Sequence, residues 1–380
     1  MLSEAKHDAP RLMTIWWAYQ NRVYAKREEC AISVSGEDES QNEFALIARL
    51  TKGLAARADV VLGVGDDTAI LDIGGNQLLL ATVDSQVEGV HFTFQGCGAQ
   101  QVGRKALAVN LSDIAAMGGQ PRYALVSLVI PPHLSLDLLE QVYTGMRLEA
   151  EAFATAIVGG NIAGTGTDRG EQLILDITLL GTVERGHTIT RGGARAGDIL
   201  CVTGFLGAAA AGLYTRFHPD LTYPAQALEA VLLRQCIPQP RVREGRVLAG
   251  FGPSIITAML DISDGLSGDL SHLCQRSHVG ARVEVAHIPI SHAVRTIAAI
   301  AGRDPLPWAL HGGEDYELLF TVAPNHVEAV MQAVQSATGT PVTPIGIITV
   351  SQDGMQLVYP DGHSEALRVR SWNHLAAGGY

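Results

Sequence analysis

The chain has no basic stripe, no long apolar run and no patterned cysteines, and each absence removes a class of function. It carries 27 Lys and Arg against 39 Asp and Glu, a formal charge of −12, so nothing in it neutralises a phosphate backbone and nucleic acid is excluded as a partner. The apolar N-terminal stretch Met13-Thr14-Ile15-Trp16-Trp17-Ala18-Tyr19 is too short to span a bilayer and meets Gln20, Asn21 and Arg22. It also lacks the long core and small-residue cleavage site of a signal peptide, so no membrane partner is expected. Cys30, Cys97, Cys201, Cys236 and Cys274 form an odd, scattered set without Cys-x-x-Cys. They indicate neither a disulfide framework nor a zinc site, and a reducing cytoplasm is the expected location. The 13 His include no His-Glu-x-x-His pair. Also missing are the Walker glycine loop, the kinase glycine loop with its His-Arg-Asp partner, and a Gly-x-Ser-x-Gly nucleophile elbow.

What the chain has is acid in apolar surroundings. Gly65-Asp66-Asp67-Thr68, Asn110-Leu111-Ser112-Asp113 and Asp261-Ile262-Ser263-Asp264-Gly265 lie far apart, and Asp84 closes the apolar run Leu78 to Val83. A buried anion costs several kcal/mol unless a cation or dense hydrogen bonding compensates it. The pattern therefore asks for bound metal. Oxygen ligands without interleaved His or Cys point to Mg2+, and clustered magnesium points to nucleotide phosphate. An acidic chain with pI near 5.5 would repel an anionic substrate unless divalent cations bridged the two.

At 380 residues and 47% hydrophobic content, the chain can bury substantial cores in about two domains. Residues 1–40, ending in the polar linker Ser35 to Ser40, read as an N-terminal extension. Phe44, Ile47, Leu50 and Leu54 recur at helical spacing. Val60 to Val64 and Leu78 to Val83 read as strands ending at Asp66-Asp67 and Asp84. Gln101 to Met117 predicts a central helix, apolar nearly all round, with Asp113 buried and with Lys105 and Ser112 near the only plausible solvent side. Ser135 caps a further helix, and Ala156-Ile157-Val158 feeds a turn at Gly159-Gly160-Asn161. A glycine-rich stretch from Thr190 to Asp198 opens a second series of strands and helices, so the domains are placed at 41–185 and 186–380. Alternating elements in both halves indicate an α+β (mixed α/β) fold. The helix starting after Asp264-Gly265 offers free N–H donors that could hold phosphate oxygens.

The ordered set Gly-Val-Gly-Asp-Asp-Thr-Ala at 63–69, Thr82-Val83-Asp84, Gly89-Val90-His91-Phe92, Lys105 to Gly118, Leu260 to Leu266 and Gly312-Gly313-Glu314-Asp315-Tyr316-Glu317-Leu318 resembles the thiamine-monophosphate kinases. That family lies within the superfamily named after aminoimidazole ribonucleotide synthetase, and the likeness covers roughly residues 42 to 375. The resemblance implies transfer of the ATP γ-phosphoryl group directly to the phosphate of thiamine monophosphate. It implies Mg2+ held by Asp67, Thr82, Asp84, Asp113, Asp261 and Asp264, with Asp67, Asp113 and Asp264 nearest the chemistry. Ser263, Arg191, Gly160, Asn161 and Tyr143 would touch ATP, and His91, Glu314 and Trp372 the thiamine phosphate. It further implies a homodimer whose N-terminal domains join strands.

One position departs from the family pattern. Asn161 stands where most members carry an Asp that binds magnesium, so that metal should bind more weakly here or rely on Asp67 and Asp113. Plainer readings stand beside each site residue: turn or cap duty for Asp66, Asp67, Asp113, Asp261 and Glu314, core packing for His91 and Trp372, a loop surface for Arg191 and a solvated helix position for Lys105. Two other functions also remain open. One is another ATP-dependent synthetase of the superfamily with a different acceptor; the other is a non-catalytic nucleotide-binding paralogue.

Overall fold

Residues 43–54, 57–165 and 172–370 are described by the computed structural model of the chain. The chain divides into two compact units, Met1–Ala55 with Trp372–Tyr380, and Ala56–Ser371. Of the first unit the described part is helix α1 (Glu43–Leu50), at whose end Thr51 returns both its N–H and its hydroxyl to the carbonyl of Ile47. Trp16, Trp17, Cys30 and Trp372 lie outside the described residues.

The second unit is mixed α and β, as predicted, and contains two sheets. The first has the order β1-β2-β3-β6-β4-β5. Its strands are β1 (Val60–Leu62), β2 (Ala69–Leu71), β3 (Gln77–Val87), β4 (Gln120–Ile130), β5 (Ala156–Gly164) and β6 (Ile174–Glu184). All neighbours run antiparallel except β4 and β5. Strict alternation on β6, with every second residue buried, shows a sheet packed on one face. Helix α2 (Ala99–Ala116) covers that face and is buried along most of its length. Leu107, Leu111 and Ile114 are fully enclosed, each contributing about 1.5–3 kcal/mol by leaving water. Against it lies α3 (Leu136–Ala152), started by the Ser135 hydroxyl accepting from the N–H of Leu138. The two helices touch backbone to backbone: a Cβ on Gly103 would stand 1.8 Å from the Val142 carbonyl, and one on Gly145 1.9 Å from that of Gln100.

The second sheet has the order β13-β12-β9-β11-β7-β10-β8. Its strands are β7 (Ile199–Thr203), β8 (Ile256–Asp261), β9 (Val279–Glu284), β10 (Leu318–Val322), β11 (Val342–Val350), β12 (Met355–Val358) and β13 (Ser364–Ala366). Between them run α4 (Ala208–Phe217), α5 (Ala225–Cys236), α6 (Val242–Phe251), α7 (Leu266–Ser277), α8 (His292–Ala301), α9 (Leu306–His311) and α10 (Val327–Thr338). One apolar core is continuous from Leu80 and Leu107 to Met259 and Phe320, so α2 is central to both sheets.

Three sequence expectations are corrected here. Asp84 lies inside a strand and not at its end, because the register of β3 with β6 continues unbroken to Val87. Gly159-Gly160-Asn161 forms no turn but runs within edge strand β5, where a Cβ on Gly160 would stand 1.7 Å from the Val126 carbonyl of β4. Finally, two of the scattered cysteines do pair, while Cys201 and Cys274 are free. Cys97, just before α2, and Cys236, ending α5, form a disulfide across 139 residues of sequence. Closing so long a loop restricts the unfolded chain, so reduction is expected to lower stability by about 2–4 kcal/mol. Denaturant titration with and without dithiothreitol checks this; superimposable curves would dismiss the bond as a stabiliser.

Candidate active site

Three acidic side chains from distant elements meet beside α2. Asp67 comes from the turn between β1 and β2, Asp113 from the last turns of α2, and Asp261 from the end of β8. One carboxylate oxygen of each lies within 4.8 Å of the others. Asp113 accepts a 2.5 Å hydrogen bond from the Thr82 hydroxyl, and Asp261 one of 2.5 Å from the Ser112 hydroxyl. Asp67 accepts from the Arg191 guanidinium through one oxygen, at 2.5 and 3.1 Å, while its other oxygen is buried without a partner among the described residues. An orphaned anionic oxygen within an oxygen-only set suits a hard divalent cation, so these residues fit Mg2+.

The electrostatics carry the same message. Burial, then the charges of Asp84, Asp261 and Asp67, hold the Asp113 carboxyl well above its ordinary range. Burial, then Asp67, pushes Asp261 up to about 7. Arg191 is the cation within this group: burial alone would weaken its hold on its proton, but Asp67 and Asp66 outweigh that and raise its pKa. Its backbone N–H also donates to both Asp66 oxygens, at 3.3 and 3.2 Å. Asp66, pushed to about 7 by burial and by Asp67, thus serves to stitch the 190–193 loop onto the acidic turn. Arg276 adds a second stitch, donating to the Gly65 carbonyl at 2.9 and 2.5 Å.

Asp84 of β3 lies close enough for its charge to act on both Asp113 and Asp261. The Asp84 N–H donates to the Asn110 side chain at 3.2 Å, which ties β3 to α2. Asp264 and Ser263 are half-buried in the turn between β8 and α7, and the Asp264 N–H donates to the buried Asp269 carboxylate at 3.1 Å. That turn packs on the Gly312–Glu314 turn: the N–H of Glu314 reaches the Ser263 carbonyl at 2.7 Å, and that of Tyr316 reaches Ile262 at 2.8 Å. Glu314 and Tyr316 hold left-handed backbone, with φ of 68° and 50°, a conformation that costs a side-chain-bearing residue about 1–3 kcal/mol. The His91 ring accepts the Val87 N–H at Nδ1, 3.0 Å, which places its proton on Nε2.

Not every sequence candidate joins this group. Gly160 and Asn161 lie on the exposed edge strand, where Asn161 pairs with Ser127, Ser127 with Asp176, and Asp176 with Ser85 in one row across the sheet. Tyr143 packs half-buried against the core on α3. Lys105 and Ser112, expected near solvent, are 2% and 0% exposed. On a helix apolar nearly all round, the polar residues marked the side facing the acidic turns, and that was the available signal. Asn110 was missed as a support for Asp84 for the same reason.

Residues 65–183 match the family described as AIR synthase related protein, N-terminal domain, and residues 195–357 match its C-terminal domain. Thiamine-monophosphate kinase of Escherichia coli is 35% identical over 335 residues, covering 88% of this chain and 98% of the relative. The crystal structure of thiamine-monophosphate kinase from Stenotrophomonas maltophilia is 37% identical, with TM-score 0.67, and covers 85% of this chain and 98% of that one. The structure described as AaThiL complexed with AMPPCP and TMP is 31% identical, with TM-score 0.74, covering 90% and 100%. The chain belongs to the thiamine-monophosphate kinase family.

Proposed function

We propose that the chain transfers the γ-phosphoryl group of ATP to thiamine monophosphate, giving thiamine diphosphate and ADP. The observation that carries this reading is the meeting of Asp67, Asp113 and Asp261 oxygens within 4.8 Å, beside an Asp67 oxygen that no group among the described residues satisfies. Asp67, Thr82, Asp84, Asp113, Asp261 and Asp264 would hold Mg2+, which when bound neutralises phosphate charge and lets two anionic reactants approach. The chain supplies position: Asp67 and Asp261 are buried, and the half-buried Asp84, Asp113 and Asp264 leave the cluster open to the reactants on one side. Ser263 and the start of α7 face the nucleotide phosphates, and Arg191 exchanges an Asp67 oxygen for a phosphate oxygen. No protein base is required, because the acceptor is itself a phosphate, largely ionised at neutral pH, with no proton to remove. His91, with its proton on Nε2, donates to that phosphate, and Glu314 balances the thiazolium charge.

The same reading places the nucleotide and metal site mainly in residues 41–185, with 186–380 completing it. It also makes the protein a cytoplasmic homodimer. The outer face of the first sheet supports the dimer: Val83, Tyr123 and Leu125 are 61%, 52% and 41% exposed on the face away from α2, a patch that invites a second copy. No helix among the described residues is long and apolar enough to cross a membrane.

Incubation with Mg2+, ATP and thiamine monophosphate, followed by chromatography of thiamine diphosphate and ADP, tests the function. ADP formed only with another acceptor would move the reading to a different synthetase. Nucleotide binding with no turnover of any acceptor would make the chain a sensor.

A further inference from the structure

Lys105 sits in the middle of α2 with its side chain 3% exposed. A buried ammonium costs several kcal/mol unless its N–H groups find acceptors, and a well-packed apolar residue of similar size would commonly be at least as stable there. Its acceptors come from two segments far apart in sequence. Nζ lies 3.0 Å from the His91 carbonyl, in the loop after β3, and 2.5 Å from Glu314 Oε1, in the turn before β10. The Glu314 side chain is 30% exposed, and its backbone holds the left-handed φ of 68°. A single buried charge therefore ties the loop of one acceptor-site candidate to the carboxylate of the other.

We propose that Lys105 is a positioning residue of the thiamine monophosphate subsite, holding Glu314 and the His91 loop in one arrangement across the two sheets. The inference rests on the functional reading above, in which His91 and Glu314 face the acceptor. Lys105 takes one oxygen of Glu314 and leaves the other for the cationic substrate. By gripping the His91 carbonyl it also fixes the loop from which the imidazole projects. ATP, bound on the carboxylates and Arg191, does not depend on this link.

The test is steady-state kinetics of Lys105→Met, Lys105→Arg, Glu314→Gln and the Lys105→Met/Glu314→Gln double variant, each substrate varied in turn, with circular dichroism to check folding. Lys105→Met is expected to raise the KM for thiamine monophosphate by about tenfold or more while the KM for ATP moves by less than about twofold. Lys105→Arg recovers part of the loss, since it restores the charge but not the compact single-point contact. In the Glu314→Gln background most of the Lys105→Met effect disappears, because the partner is already neutral. Equal rises in both KM values, or additive effects in the double variant, would overturn the inference while leaving the function intact. If Lys105→Met does not fold, Lys105→Arg carries the same decision through the same split, at smaller size. A wild-type chain that does not turn over thiamine monophosphate would sink the functional reading, and this inference with it.

Discussion

Replacing Asp113 by Asn is expected to raise the melting temperature of the metal-free chain while cutting turnover by about a hundredfold or more. The two effects have opposite signs because the carboxylate is placed for a cation and against stability. Burial does most to raise its pKa, followed by the like charges of Asp84, Asp261 and Asp67. Asn has nearly the same volume, so no cavity opens, and its carbonyl oxygen still accepts from the Thr82 hydroxyl that now bonds Asp113 at 2.5 Å. What is removed, at a pH where the group is ionised, is a charge repelled by three neighbours. The same change deletes an anionic metal ligand, and phosphoryl transfer depends on neutralising oxygen charge. Thermal scans in chelator and product assays in magnesium read the two halves separately. Wild-type turnover in Asp113→Asn would remove Asp113 from the site; a lowered melting temperature would show the carboxylate to be compensated by the fold.

Arg191→Met should destabilise the metal-free chain by about 3–5 kcal/mol, and magnesium should return most of that loss. Arg191 contacts Asp67 at 2.5 Å and approaches Asp66 at 4.0 Å, and those two side chains are 0% and 6% exposed. Removing the guanidinium leaves buried anions unpaired, which costs more than the pair itself was worth. The loss depends on pH with a definite sign. Asp66 and Asp261 have folded-state pKa values of about 7 against an ordinary 3.8. A carboxyl raised in this way contributes stability at pH below its ordinary value, and that contribution is lost as pH climbs through 7. Metal-free protein is therefore more stable near about pH 5 than near about pH 8, and Arg191→Met widens the gap. Because magnesium binds the ionised form, its stabilisation is largest at the higher pH. Urea titrations at both pH values, in chelator and in magnesium, check the whole set. An equal loss under all four conditions would reduce Arg191 to packing.

Much of the scaffold was legible in the residues. The Ser135 cap starts α3 as the residues imply, and the aspartate pair at 261 and 264 stands at the end of the fully buried strand β8. The acidic turns were legible too, since Asp beside Gly after an apolar strand has few other uses. Edge strand β5 was misread because Gly-Gly is a turn signal locally, whereas here the missing Cβ atoms let one backbone approach another. The Cys97–Cys236 pair was invisible because 139 residues separate partners that carry no local motif. Lys105 was misread because helical periodicity assigns faces by composition, and its acceptors, His91 and Glu314, belong to neither of its neighbouring turns.

By itself, then, the order of residues determined the kinds of element, the chemistry of the donors and the family, because propensity, capping and side-chain type act over a few neighbouring positions. Which donors share a cavity was decided only on folding. Asp67 with Asp113 and Asp261, Arg191 against Asp67, and Lys105 between His91 and Glu314 are through-space relations. Charge interactions grow as distance and dielectric shrink, and both quantities are properties of the packed chain.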